Sequence, residues 1–166
     1  MGFTTRRPEV SCHPEELLPG ARTVVSAALC YWAPAGEPGP GEGQLARYTW
    51  SDRYAELRGK LDELGRRLGG SYRVLVDEND HVDREGAVRA GVAFYGKNTL
   101  AITRRHGSWV VLGTLVTEAT AALLPAAATR PIGTGTFMPG MWNTSPRSSW
   151  IMRGASSRYL ASMRGR

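Results

Sequence analysis

Four polar side chains alternate within one short run: Asp77, Asn79, His81 and Asp83. Carboxylates at that spacing suggest either an oxygen cage for a divalent cation or an acid at a strand end. The cation reading fails on position. A calcium loop needs Gly at its sixth residue and a bidentate Glu at its twelfth, where this chain has Val82 and Val88. Asp77, directly after the apolar run SYRVLV, then reads as a loop carboxylate at a strand end. Further on, GVAFYGKN at 91–98 nearly spells a phosphate loop. Its last position, Asn98, offers no hydroxyl to magnesium, and the segment follows a helix and opens a strand, the reverse of a phosphate loop. The plainer reading is a tight turn with Gly96 at positive φ. Lys97 alone reads as a surface lysine, His106 as an exposed hairpin tip, and Trp109 as a core or partly covered residue. Arg47-Tyr48 is a basic–aromatic pair of the kind that contacts RNA. The two cysteines, Cys12 and Cys30, form no C-x-x-C pair, so no metal or cluster site is legible locally. Cys30, in an apolar run, reads as a buried thiol.

The elements that must position these residues follow from periodicity. Pro19-Gly20 is a turn, and ARTVVSAALCYW after it is a buried strand. APAGEPGPGEGQ at 33–44 is loop. In SDRYAELRGKLDELGRRLGG, Tyr54, Leu57, Leu61, Leu64 and Leu68 recur at helical spacing. Ser51 or Asp52 caps that helix and Gly69-Gly70 closes it, while Gly59 and Gly65 each weaken it by roughly 1 kcal/mol against Ala. A second strand ends at Asp77. DREGAVRA is a short helix with Asp83 as its expected cap. NTLAITRRHGSWVVLGTLVTE reads as two strands joined through Arg104–Gly107, with Leu100 and Ile102 facing Val110 and Leu112. The order β-α-β-α-β-β predicts an α+β fold: a single mixed sheet with packed helices.

Composition sets the bounds. A chain of 166 residues with 42% hydrophobic and 22% charged content suits one globular domain. No run is apolar enough to span a membrane and no signal peptide is visible, so a soluble cytoplasmic protein is the expectation. The net charge of +6 is unevenly held. Residues 1–120 carry 15 Lys+Arg and 15 Asp+Glu, whereas 121–166 carry six arginines and no acid. That tail is broken by Pro, Gly and Ser and keeps no amphipathic period. It is expected to be a basic, disordered segment without a site, whose removal leaves stability nearly unchanged. Its composition is also what a wrong reading frame of a GC-rich gene would give. Residues 1–120 form the expected folded domain.

Four segments in order carry a resemblance: LLPGARTVVSAALCY at 17–31, LARYTWSDRYAELRGKL at 45–61, VDENDHVDREGAVRAGVAFYGKNTL at 76–100 and HGSWVVLGTLVTE at 106–118. Together they resemble the cobalamin-binding N-terminal domain of epoxyqueuosine reductases, the iron–sulfur enzymes of queuosine tRNA modification. The resemblance implies a nitroreductase-like core holding cobalamin, and a partner tRNA carrying epoxyqueuosine at the wobble position. It implies Asp77 as the proton donor, since an epoxide oxygen leaves poorly unless protonated; burial would raise its pKa as that role needs. It places cobalamin contacts at Ala46, Arg47, Arg84, Lys97 and Asn98.

The chain departs from the family pattern at several places. Ala55 stands for a family His, Ala93 for a Gly, and Ser11 near a cofactor-holding Arg. An acidic helical segment that precedes the match in the family is missing. After Glu118 the family continues into two four-cysteine 4Fe-4S motifs; this chain has no cysteine after Cys30 and cannot ligate those clusters. The expectation is therefore a partial, truncated or inactive reductase fragment that depends on an external electron donor. Two rivals stand beside it. Another corrinoid-dependent reductase would act on small halogenated substrates rather than modified tRNA. A non-enzymatic tRNA-binding remnant would lose RNA binding with its tail.

Overall fold

The computed structural model describes residues 13–78, 81–120, 122 and, as backbone, 150–156. A single-turn helix α1 (Pro14–Leu17) leads into β1 (Thr23–Cys30). A loop and a 3-10 turn (Arg47–Thr49) follow, then α2 (Arg53–Leu68) and β2 (Tyr72–Leu75). The chain continues through α3 (Asp83–Arg89), β3 (Phe94–Tyr95), β4 (Ala101–Ile102), β5 (Val110–Thr117) and β6 (Trp150–Ser156). The main sheet has the order β2-β5-β1-β6, and each neighbouring pair is antiparallel. The expectation of one mixed sheet is thus corrected twice. β1 and β2, linked through α2, do run parallel, but they are not adjacent. The crossover leaves a gap one strand wide, and β5 fills it in the opposite sense. The second correction is a separate ribbon, β3 with β4.

β1 is buried along nearly its whole length because helices cover both faces of the sheet. Val25, Ala27 and Leu29 point to one face, where they meet Leu57, Leu61 and Leu64 of α2 together with Val76, Val111 and Leu115. On the other face Ala28 packs with Ala87 of α3 and Val92, and Val24 packs with Leu17, Leu75 and Val116. The period-2 alternation of β1 therefore separates two cores. Asp52 caps α2, accepting the Ala55 N–H at 2.8 Å, and Gly69 ends it at φ 72°. Tyr54 departs from the leucine stripe: it is 38% exposed on the first turn. α2 lies so close to β5 that a Cβ on Gly113 would stand 2.9 Å from Val76 Cγ2 and 3.0 Å from Leu57 Cδ2. Among the described residues no helix is long and apolar enough to cross a membrane.

The expected hairpin through Arg104–Gly107 forms only as a local turn, bridged at Thr103 and Gly107. β4 pairs backward with β3, Phe94 to Ile102 and Tyr95 to Ala101, while β5 joins the main sheet. Leu100 and Ile102 therefore do not face Val110 and Leu112. β5 can pair over eight residues with β1, and that long ladder outweighs a two-residue contact with β4. Residues 150–156 also differ from expectation. They form β6 against the free edge of β1, in a register from Thr23↔Ser156 to Leu29↔Trp150. Backbone pairing answers the open N–H and C=O groups of an edge strand and requires no side-chain period. The other parts of the tail lie outside the described residues, Ala122 excepted.

Candidate functional site

Asp77 stands two residues beyond β2, exposed, with φ 57°. A non-glycine residue in this region costs roughly 1–2 kcal/mol, so its neighbours must hold it there. Arg58 of α2 does part of this. Its guanidinium donates to Val76 O at 3.1 Å and Val74 O at 3.4 Å, and it pairs with Glu78 Oε1 at 2.9 Å. The residues on either side of Asp77 are thereby tied to one helix.

Asp83 does not cap α3. Val82 occupies the N-cap without a side-chain bond, and the Asp83 carboxyl turns inward to the sheet. It accepts the Thr114 hydroxyl at 3.0 Å. Burial, with smaller like-charge contributions from Asp77 and Glu78, pushes Asp83 up to about 7, against the opposing pull of Thr114 and the Asp77 backbone. Asp77 itself is exposed; the buried carboxyl held above its ordinary range is that of Asp83. His81 lies against the same face of α3. A Cβ on Gly86 would be 2.7 Å from His81 Nε2 and 3.2 Å from Ser26 Oγ. Burial lowers the His81 pKa, and neither ring nitrogen has a hydrogen-bond partner among the described residues.

An aromatic surface adjoins the carboxylates. Tyr31, at the end of β1, makes edge contacts with Tyr48 (6.3 Å) and Trp109 (5.8 Å). The Arg47 guanidinium lies 5.3 Å from the Trp109 ring centre and 5.7 Å from that of Trp50, while its Nε donates to Ala33 O at 2.8 Å. Ala46 is the N-cap of the 3-10 turn that carries Arg47. Tyr54 links this surface to the acids: burial raises its pKa first, then the charge of Asp77, then Tyr31, Tyr48 and Asp83. Trp50, Trp109 and Tyr48 keep 40% or more of their area exposed, so a flat ligand can stack there.

The third group is the turn between β3 and β4. Arg84, the residue after Asp83 on α3, donates to Thr99 O at 3.2 Å. Asn98 Oδ1 accepts the Leu100 N–H at 3.2 Å, which fixes the turn that carries Lys97. Positive φ falls on Thr99 (63°), not on Gly96 as the sequence suggests. A Cβ on Gly96 would meet Ile102 Cδ1 at 2.6 Å and Asn98 Oδ1 at 2.8 Å, so those side-chain ends would have to shift to admit one. Thus Ala46 and Arg47 sit in the aromatic group with Tyr54 leading to Asp77, whereas Arg84, Lys97 and Asn98 form a separate turn joined to it through Asp83-Arg84. His106 is half-buried rather than fully exposed, and burial lowers its pKa. Cys30 is a buried free thiol. Among the described residues no group of three His, Cys, Asp or Glu side chains gathers to hold a metal.

Sequence reasoning missed Arg58, Thr114, Tyr31 and Tyr54. Tyr31 and Trp109 become neighbours because Cys30 pairs with Val110, a register that no local pattern announces. Arg58 had a signal, as a polar residue between buried Leu57 and Leu61.

Residues 12–79 match the family model described as "Epoxyqueuosine reductase QueG, DUF1730". The epoxyqueuosine reductase of Gloeobacter violaceus is 37% identical over 109 residues, covering 62% of this chain and 34% of that one. Over that shared part, the chain is similar to epoxyqueuosine reductases. The Synechocystis epoxyqueuosine reductase is 38% identical over 112 residues, 63% of this chain and 39% of its own. The structure of epoxyqueuosine reductase from Streptococcus thermophilus superposes with a TM-score of 0.63 at 30% identity, covering 72% of this chain and 35% of that one. A crystal structure of epoxyqueuosine reductase with an epoxyqueuosine-modified tRNA-Tyr stem loop gives 0.61 at 34% identity, covering 71% and 34%. The chain therefore spans little more than a third of its relatives' length.

Proposed function

We propose that this chain is the cobalamin-binding part of an epoxyqueuosine-reducing system that acts on tRNA, with Asp77 as proton donor. The observation that carries the reading is one exposed carboxylate, held at a fixed backbone angle beside an arginine-centred aromatic surface. That surface suits a broad, flat macrocycle on a nitroreductase-like core: Tyr48, Trp50 and Trp109 offer ring faces around Arg47. Arg84 and Lys97 suit its amide and phosphate edges, and Ala46 and Asn98 bring backbone close. When bound, cobalamin supplies the one-electron chemistry that reductive opening of an epoxide needs. The residues do the rest. The aromatic surface orients the substrate base, and Asp77 protonates the epoxide oxygen as its C–O bond breaks. Loss of that oxygen as water takes two electrons and two protons. A 4Fe-4S cluster needs four cysteine ligands and these 166 residues hold two cysteines, so they do not fit a cluster, and the electrons must reach this part from a donor outside it.

A visible-absorption titration of the full chain with cobalamin tests the reading. A spectral change that weakens in Arg84→Ala and Lys97→Ala is the expected result. An unchanged spectrum at millimolar cofactor, with the protein shown to be folded, would sink it. With an external reductant and epoxyqueuosine-tRNA, Asp77→Asn should lower the rate about 10²-fold or more while cobalamin binding is kept.

A further inference from the structure

We propose that Arg58 is the positioning residue of this site: its guanidinium grips the backbone before Asp77 and the side chain after it, and so fixes the left-handed turn that presents the Asp77 carboxyl. The inference rests on the reading of Asp77 as the acid and adds the residue through which its geometry is set.

The contacts come from both sides of the turn. Nη2 of Arg58 donates to Val76 O at 3.1 Å and to Glu78 Oε1 at 2.9 Å, so one nitrogen spans Asp77. Nη1 reaches back to Val74 O at 3.4 Å. The Val76 carbonyl lies in the peptide plane that enters Asp77, and Glu78 is reached through the plane that leaves it. Holding both restricts the two soft dihedrals between them. The φ of Asp77 stands at 57°, where a non-glycine residue needs outside support. Glu78 is steadied in turn: its Oε2 lies 3.8 Å from Arg73 Nη2, and Arg73 Nη1 donates to Leu17 O at 3.4 Å. The far side of the turn is thus tied to α1 as well as to α2.

The clamp stands on a packed base. Arg58 follows Leu57 on α2, and Leu57, Leu61 and Val76 are buried in one core. Stability alone does not explain the arrangement. The Arg58 and Glu78 side chains are 43% and 35% exposed, and ion pairs at such exposure add little. A planar guanidinium that makes three contacts around one residue instead defines a shape. Val76 is buried and Glu78 half-buried, whereas Asp77 between them stays exposed.

The test is the intraresidue NOE between the amide and α protons of Asp77, measured on the isotope-labelled 166-residue chain without cofactor. A left-handed φ brings those protons closer than right-handed or extended backbone does, so the parent should show a strong peak. Arg58→Met keeps the packing stem and removes the donors; the peak should fall to the strength seen for strand residues. Glu78→Ala removes the second grip and should weaken the peak too. The double variant should lose no more than Arg58→Met alone, because the two side chains act as one unit. Arg67→Met, which takes a charge from the same helix and breaks its pair with Glu63, should leave the peak unchanged. A weak peak in the parent, or a strong one in a folded Arg58→Met chain, would overturn the proposal. So would an equal loss in Arg67→Met. If Arg58→Met does not fold, Glu78→Ala decides, and a strong peak there overturns the proposal. The acid assignment fails separately. With external reductant and epoxyqueuosine-tRNA, Arg58→Met should lower kcat by up to about 10²-fold with KM kept. A rate lost in Asp77→Asn but unchanged in Arg58→Met would overturn the positioning role. A rate retained in Asp77→Asn would remove the acid assignment, while the NOE series, which needs no turnover, would still stand or fall by itself.

Discussion

Asp83 and His81 lie on one side of α3 and couple folding to pH in opposite directions. The folded pKa of Asp83, about 7, exceeds its unfolded value of 3.8. The folded state therefore holds the extra proton between those values, and stability falls as pH rises through that window. For His81 the folded value lies below 6.5, so stability is lost as pH drops beneath 6.5. Thermal melts from pH 4 to 8 should show Asp83→Asn gaining stability over the parent progressively, on the order of 3 kcal/mol by pH 8 and little at pH 4. A gain of equal size at both ends would show that the carboxyl is not buried as described. Both acids were legible in the sequence as a spaced pair. Their environments were not, because burial is set by the packing of α3 on β5 rather than by spacing along the chain.

α2 shows how an element can be legible while the purpose of its residues is hidden. Its leucine stripe and the Asp52 cap follow from periodicity, and Leu57, Leu61 and Leu64 are indeed buried. Gly59 and Gly65 look alike in the sequence, two helix-weakening positions. In the fold they are opposites. A Cβ on Gly59 meets nothing within 4 Å, whereas one on Gly65 would lie 2.5 Å from the Tyr72 ring of β2. Gly59→Ala should stabilise the protein by about 0.5–1 kcal/mol, the ordinary helix preference. Gly65→Ala should cost about 1–3 kcal/mol by forcing Tyr72 aside. Denaturant titration of the two variants distinguishes them by sign. The ribbon of β3 and β4 failed to be legible for a related reason. The apolar run before Arg104 suited a hairpin with β5, but competition among partners, which only the whole sheet decides, gave β5 to β1 and β2.

At the scale of the molecule, the charge and the sheet make different demands on residues 121–166. The body to residue 120 is neutral, so the six tail arginines hold the entire excess of +6 and are the main source of non-specific attraction to RNA. Judged by side-chain pattern alone, the segment has nothing to fold with, and its removal should be harmless. The sheet argues otherwise. β6 covers the edge of β1 along seven residues, and β1 is the strand around which both cores are built. Deleting 121–166 would leave that edge open to water and to other strands. The truncated chain should therefore melt several degrees lower than the full chain and self-associate more readily, while its RNA binding loses most of its salt dependence. Melting curves, sedimentation and RNA binding at two salt concentrations measure the three effects on the same pair of proteins. An unchanged melting temperature would mean that β6 contributes nothing to the sheet in solution, and the tail would return to the irregular chain that its composition suggests. An unchanged salt slope would place the RNA contacts on the folded body, at Arg47, Arg84 and Lys97.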